Sequence, residues 1–466
     1  MQNLISVTQA ENIIRQHLTT AAVEIVPLSK AQGRYLREDI LADRPLPPFD
    51  RVMMDGIAIA HASFASGNAR FPITGTQAAG TPALTLENAD SCIEVMTGCV
   101  LPHGCDSIIP IEHIDLSENT ASLHSDASPQ TQQHIHSAGS DTAAGEILLN
   151  SGQVLNAAEL AIAASCGATH LKVSALPRIL IITTGDELVA PEVTPLPHQI
   201  RRSHATAMEA LITGMKLGKV ESLHIADDPL ALKDTITEAL PAHDILIFNG
   251  GISKGKYDYV APVLTELLGS PHFHGIAQRP GKPMAFWTYT PDNASTAGAD
   301  DGSASGGDEC KRARADDGSA SGGDECKRAR ADDGSAAGGD ECKRARADDG
   351  SASGGEERKR SIFALPGNPV SAMACAARYL LPTLKEILSG SAPTSHTLQS
   401  NGSFHCPAHF TGLVPCQLKN GRIHLQAPSN SGNFLALADT DGIAQLGGEL
   451  AGKELLNEPA NFYPWT

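Results

Sequence analysis

Four polar clusters carry the residue types that could hold and neutralise an oxyanion. They are Thr184-Gly185-Asp186-Glu187, Asp227-Asp228, the run Gly250-Gly251-Ile252-Ser253-Lys254-Gly255 followed by Asp258, and Leu365-Pro366-Gly367-Asn368-Pro369. Gly250 and Gly251 let backbone amides approach a phosphate with no Cβ in the way, and Ser253 adds a hydroxyl. The run is not a Walker A loop, because the spacing differs and Tyr257 stands where Ser or Thr is required. Arg279-Pro280-Gly281-Lys282-Pro283 adds two cations around a tight turn, suited to anionic oxygens. The acids would crowd negative charge around such a site, and a hard divalent cation such as Mg²⁺ resolves that conflict by bridging carboxylates and phosphate oxygens. Asp228 precedes Pro229 and reads as a helix cap, while Asp186 reads as a loop turn. Glu187 and Asp227 are therefore the expected metal ligands.

The elements that must present these clusters alternate strand and helix. RILIIT (178–183), VESLHI (220–225), DILIFN (244–249) and IFAL after residue 360 have the apolar runs of buried strands. Residues 203–217 place Met208, Leu211, Ile212 and Met215 on one helical face, and Leu232, Ile236 and Leu240 do the same after Asp228-Pro229. A further helix is expected over 370–388. This alternation predicts a parallel sheet flanked by helices, with ligands outside the carboxyl ends of the strands. Each cluster follows one of these strands, and that repetition carries more weight than any single loop.

The amino-terminal half repeats the polar-loop pattern in Pro48-Phe49-Asp50-Arg51-Val52-Met53-Met54-Asp55-Gly56, Met96-Thr97-Gly98, Leu101-Pro102-His103-Gly104-Cys105-Asp106 and Gly139-Ser140-Asp141. Read singly, an Asp before Gly is a turn. Thr8-x-x-Glu11 and Asn156-x-x-Glu159 read as capping boxes that open helices, the second closed by Gly167. The expected fold is a multidomain α/β protein. It has a helical linking domain (1–45 plus 140–176), a β-rich domain (46–139), a central parallel-sheet α/β domain (177–390) and a small C-terminal β domain (391–466).

From Ala299 the unit ADDGSASGGDECKRAR recurs every 16 residues in near-identical copies. No copy contains Leu, Ile, Val or Phe, so stacking would bury almost nothing, and residues 293–360 are expected to form a disordered loop. The net charge is −18, of which residues outside 299–360 carry −14. Such an acidic chain is a poor match for sequence-independent nucleic-acid binding. No apolar run reaches the ~20 residues of a membrane helix. The opening MQNLISVTQAENIIRQHL lacks a basic segment followed by an apolar one, so no secretory signal is expected. The ten cysteines contain no C-x-x-C pair, and three of them (Cys310, Cys326, Cys342) are copies of one repeat. Neither a disulfide framework nor a zinc site follows, and a reducing cytoplasm does.

Together the segments resemble the molybdopterin molybdenumtransferase family, which includes the C-terminal domain of gephyrin-like proteins. PPFDRVMMDGIA is similar to the family's Pro-rich MDG segment and EVMTGCVLPHGCDSIIPIE to its TGxxLPxGAD segment. TTGDEL, GGISKGKYD, RPGKP and LPGNPVSA follow in the family's order. The resemblance spans nearly the whole chain outside the repeats. It implies transfer of molybdate onto adenylylated molybdopterin with Mg²⁺ or a similar cation, releasing AMP and molybdenum cofactor. By position it implies functional roles for Asp55, Thr97, Asp141, Glu187, Asp227 and Asp258. It also implies a homodimer whose cleft draws loops from both subunits, and contact with molybdopterin adenylyltransferase. Val52, Ile57, Cys99, Cys105, Arg279 and Gly275 depart from the family's usual residues, which places fine substrate contacts in question. The rival readings are molybdopterin adenylyltransferase, disfavoured by the extra domains and the MDG segment, and a pterin-binding scaffold without catalysis, disfavoured by the intact acids.

Overall fold

A computed structural model describes residues 4–253, 255, 258–291 and 359–465. The repeats expected to be disordered lie outside the described residues, except for Lys359 and Arg360.

The central sheet has six strands in the order Lys219–Ile225, Arg178–Thr184, Ile245–Asn249, Arg360–Leu365, Ala285–Tyr289, Phe273–His274. The first four run parallel, Ala285–Tyr289 runs against them, and Phe273–His274 pairs antiparallel with that strand. Its inner strands have unbroken apolar centres (179–182, 245–248, 362–365) because both faces are covered. Alternate residues face opposite layers. Ile179, Ile181, Ile245, Ile247 and Phe363 pack with helix His204–Gly214 and the helical segment 369–389. Leu180, Ile182, Leu246, Phe248 and Ile362 pack with helices Pro229–Ala242 and Val260–Leu268. Asp228 caps its helix as expected, with Oδ1 accepting from the amide of Leu230 at 2.9 Å.

The first helix, Val7–Gln16, differs from expectation at its start. Ser6 is the cap and Gln9 its partner, two residues ahead of Thr8 and Glu11. Register decides this, since starting at Val7 lets Val7, Ala10 and Ile14 bury themselves against the central domain. Asn156 and Glu159 form the second capping box as read from the sequence. The linking region also contains strand pairs beside its helices, Val23–Pro27 with His170–Ser174 and Ile40–Leu41 with Ile147–Leu149.

Between these segments lies a six-stranded sheet in the order Ser107–Pro110, Gly56–Ile59, Cys92–Val95, Arg70–Gln77, Thr120–Leu123, Ile114–Ser117. At the carboxyl end of the chain, Thr411–Lys419 pairs with both Arg422–Leu425 and Gly442–Gly447. The ring closes through His396–Gly402 and Leu455–Pro464, a small barrel that removes its own sheet edges. The two-residue strand Gln278–Arg279 joins it alongside Thr411 and Gly412, tying the RPGKP turn to this barrel. No helix of the described residues is long and apolar enough to cross a membrane.

Candidate active site

The polar loops meet at the carboxyl edge of the central sheet, and close approach explains their glycines. Gly250 donates its amide to Leu365 O at 3.2 Å, and the Cβ of any residue at 367 would lie 3.5 Å from Gly250 Cα. The Gly250-Gly251 loop and Pro366-Gly367-Asn368 therefore abut. At Gly251, φ is +65° and a Cβ would sit 2.7 Å from Val260 Cγ2 and 2.9 Å from Thr184 Oγ1. Ser253, Gly367 and Asn368 are exposed, while Pro366 is buried beneath them. Asn368 donates from Nδ2 to Ser431 Oγ at 2.9 Å, which links the loop to the C-terminal domain.

The acids gather at the same edge. Burial, together with the charges of Asp186, Glu187 and Asp258, pushes the Asp227 carboxyl above its ordinary range. Asp186 accepts the Asp227 amide at 3.0 Å, so it fixes one loop against the next rather than serving only its own turn. Glu187 folds back so that a Cβ at Gly185 would lie 2.7 Å from its carboxylate. Asp258 accepts the Gly255 amide at 2.6 Å and closes the glycine loop on itself. Among the described residues no three His, Cys, Asp or Glu side chains converge as a metal cage. The donors are oxygens concentrated where like charges already raise a pKa, which fits Mg²⁺, an ion that keeps waters and takes substrate phosphate oxygens as ligands.

Lys282 is exposed on the RPGKP turn. Arg279 is exposed too, and its guanidinium carbon lies 5.6 Å from the centre of the Phe410 ring, so it faces the barrel. Buried Gln278 holds the turn from below. Its Nε2 donates to Gly281 O at 3.1 Å, and its Oε1 accepts from the Tyr379 hydroxyl.

A second group of functional candidates is built on the 46–141 segment. Asp55 Oδ1 accepts from both the amide and the hydroxyl of Thr97, at 2.6 and 2.8 Å. These donors favour the charged form and hold the carboxyl below its ordinary range. Gly56 is obligatory here, since a Cβ would lie 2.0 Å from Ile109 O. Asp141 contacts His136, Nε2 to Oδ1 at 2.8 Å, and Arg51 Nη2 approaches His136 Nδ1 at 3.0 Å. Among the described residues no hydrogen bond or ion pair links Asp55, Thr97 or Asp141 to the acids at the sheet edge.

Residues 5–167 match the model described as "MoeA N-terminal region (domain I and II)", and residues 180–386 match "Probable molybdopterin binding domain". A molybdopterin molybdenumtransferase of Synechocystis sp. is 31% identical over 462 residues, covering 99% of this chain and all of that protein. The chain belongs to the molybdopterin molybdenumtransferase family. A gephyrin of Dictyostelium discoideum is 30% identical over 62% of this chain and 44% of its own length. The fold agrees with a solved molybdopterin biosynthesis moea protein from Pyrococcus horikoshii, at a TM-score of 0.71 and 20% identity over the full length of both chains.

Family membership makes the departures at several positions worth locating. Val52, Ile57 and Cys99 are fully buried and Cys105 nearly so. They belong to the two small cores of the 46–139 sheet, so these four departures bear on packing. Gly275 has φ +106°, and a Cβ there would meet Leu4 Cδ2 at 2.8 Å, which bars a longer side chain. Sequence reasoning missed His136 and Ser431. A histidine five positions before Asp141 carries no recognisable spacing, and Ser431 reaches Asn368 only through the fold.

Proposed function

We propose that this protein is a molybdopterin molybdenumtransferase, which inserts molybdate into adenylylated molybdopterin and releases AMP and molybdenum cofactor. The observation that carries the reading is the crowding of Asp227 by Asp186, Glu187 and Asp258 beside the glycine loops. An anion site lined with carboxylates is coherent when cation, phosphate and acids assemble together.

In this reading the amides of Gly251 and Gly367, with Ser253 and Asn368, bind the substrate's phosphate oxygens, while Gly250 holds the two loops together. Lys282 neutralises them, and Arg279 adds charge from the barrel side. Asp227 and Glu187 would hold Mg²⁺, which supplies charge neutralisation at the phosphoanhydride. The bond broken joins the adenylyl phosphorus to the bridging oxygen. An oxygen of water or molybdate takes its place, and AMP departs. Asp258 keeps the glycine loop closed around the ligand. Asp55, Thr97 and Asp141 complete the centre from a second subunit of a homodimer, which accounts for two groups of acids with no contact inside one chain. Cytoplasmic location and receipt of the adenylylated pterin directly from molybdopterin adenylyltransferase belong to the same proposal.

The test is to incubate purified protein with adenylylated molybdopterin, molybdate and Mg²⁺. Molybdate-dependent AMP release supports the transferase. Bound but unconverted pterin would identify a scaffold, and formation of the adenylylated pterin from ATP would identify an adenylyltransferase.

A further inference from the structure

We infer that His136 is a positioning residue for Asp141, held in a single tautomer by Arg51; the inference rests on Asp141 belonging to the catalytic centre. A guanidinium has donors only. With Arg51 Nη2 3.0 Å from His136 Nδ1, that nitrogen must present its lone pair. The neutral ring then carries its proton on Nε2, where it donates to Asp141 Oδ1 at 2.8 Å. Three side chains thus form a directed chain from cation to carboxylate.

The backbone sets this arrangement. Strands Arg51–Val52 and Ile135–His136 pair antiparallel with Arg51 opposite His136. The following loop folds back through Gly139 at φ +71°, and the Asp141 amide donates to Leu46 O at 2.9 Å. Asp50 accepts the Ala138 amide at 2.8 Å, which pins the same loop to the strand side. The charged groups around the ring are therefore Arg51 and Asp50 from the strand segment and Asp141 from its own loop.

Two consequences follow. Asp141 is left with Oδ2 for a ligand, because Oδ1 is engaged by His136. A proton on Nδ1 would set an N–H against the guanidinium N–H groups, so the Arg51 contact selects the Nε2–H tautomer. The contacts are largely exposed, and exposed ion pairs contribute little stability. The role is orientation of a carboxylate.

Two measurements on the full-length protein test this. Nitrogen-15 NMR of the imidazole should show the Nε2–H tautomer for His136, and Arg51→Met should release it to a mixture of tautomers; this readout does not depend on activity. His136→Ala should lower kcat roughly tenfold through misplacement of Asp141, with KM and melting temperature little changed. His136→Gln can accept from Arg51 through Oε1 and donate to Asp141 through Nε2. It should recover most of that loss. An Nδ1–H tautomer or a mixture in the unsubstituted protein would overturn the inference. So would wild-type kcat in His136→Ala, or no recovery of kcat in His136→Gln. If the unsubstituted protein releases no AMP, the proposed reaction fails, and the tautomer result still decides the geometry.

Discussion

Gly251→Ala perturbs the point where the glycine loop is pressed hardest against the sheet. The native φ of +65° costs an L-residue about 1–2 kcal/mol. The new Cβ would lie 2.7 Å from Val260 Cγ2 and 2.9 Å from Thr184 Oγ1, and Val260 is 1% exposed within the core. Overpacking of that kind adds about 1–3 kcal/mol. The expected loss is thus about 2–5 kcal/mol. Gly80→Ala supplies the control, since φ there is +80° with nothing within 4 Å of the new Cβ, and only the backbone contribution of about 1–2 kcal/mol applies. Urea unfolding followed through Trp287, which is buried in the same core layer as Val260, reads the difference as a lower midpoint at unchanged slope. Adding Val260→Ala to Gly251→Ala should return about 1 kcal/mol beyond additivity, because the two groups collide. Equal losses at 251 and 80, or strict additivity with Val260→Ala, would refute the crowding argument. Molybdate-dependent AMP release should fall in Gly251→Ala and remain in Gly80→Ala.

Three further outcomes are expected. Gly56→Ala puts a Cβ 2.0 Å from Ile109 O, so it should abolish soluble expression or sharply lower the melting temperature, whereas Gly67→Ala, at φ +101° with nothing within 4 Å, should cost only the backbone contribution of about 1–2 kcal/mol. Thr97→Val keeps the backbone amide, the larger of the two donors that hold the Asp55 carboxyl low, and removes the hydroxyl, the smaller. A depressed carboxyl contributes stability that is present above its unfolded value and lost as pH falls through the folded one. In Thr97→Val the Asp55 titration followed by carbon-13 NMR should therefore move upward, and an unmoved titration would contradict the assigned cause. Asp227 is the opposite case. Its carboxyl is raised by burial and neighbouring acids, so its favourable contribution is present below the unfolded value and lost as pH rises through the folded one. Asp227→Asn should raise the melting temperature at neutral pH in the absence of Mg²⁺ and abolish any rise produced by adding Mg²⁺; a variant that keeps the Mg²⁺ response would remove Asp227 from the ligand set.

The central sheet was legible because its signal is local. RILIIT and DILIFN have unbroken apolar centres at 179–182 and 245–248, and the acids and glycines follow each strand, so strand ends and loops could be placed from the chain alone. Asp228 and Asn156 were equally readable, as a cap needs only its own turn. The helix beginning at Val7 shows the limit. Ser6 and Thr8 both satisfy local capping rules, and the choice between them is made by burial of Val7, Ala10 and Ile14 against strands far along the chain. The pairing of Gln278–Arg279 with Thr411 and Gly412 lies further out of reach, since no periodicity in a two-residue strand announces its partner.

The same distinction separates what charge could and could not reveal. Asp186, Glu187, Asp227 and Asp258 stand out in sequence as acids beside glycines, yet their division of labour appears only in their partners. Asp186 and Asp258 spend an oxygen on a backbone amide, at 3.0 and 2.6 Å, and so set the loops. Asp227 receives the field of the others and is the group whose ionisation they oppose. A cation that binds at this edge must therefore gain most from Asp227, and its arrival favours the ionised form that burial and the neighbouring acids resist. Metal and proton then compete for one carboxylate, so Mg²⁺ affinity should rise with pH through the Asp227 titration. Asp258→Asn, which removes one opposing charge, should move that rise to lower pH. Calorimetric titration with Mg²⁺ across the acid range measures both, and an affinity independent of pH would mean that the cation is held elsewhere.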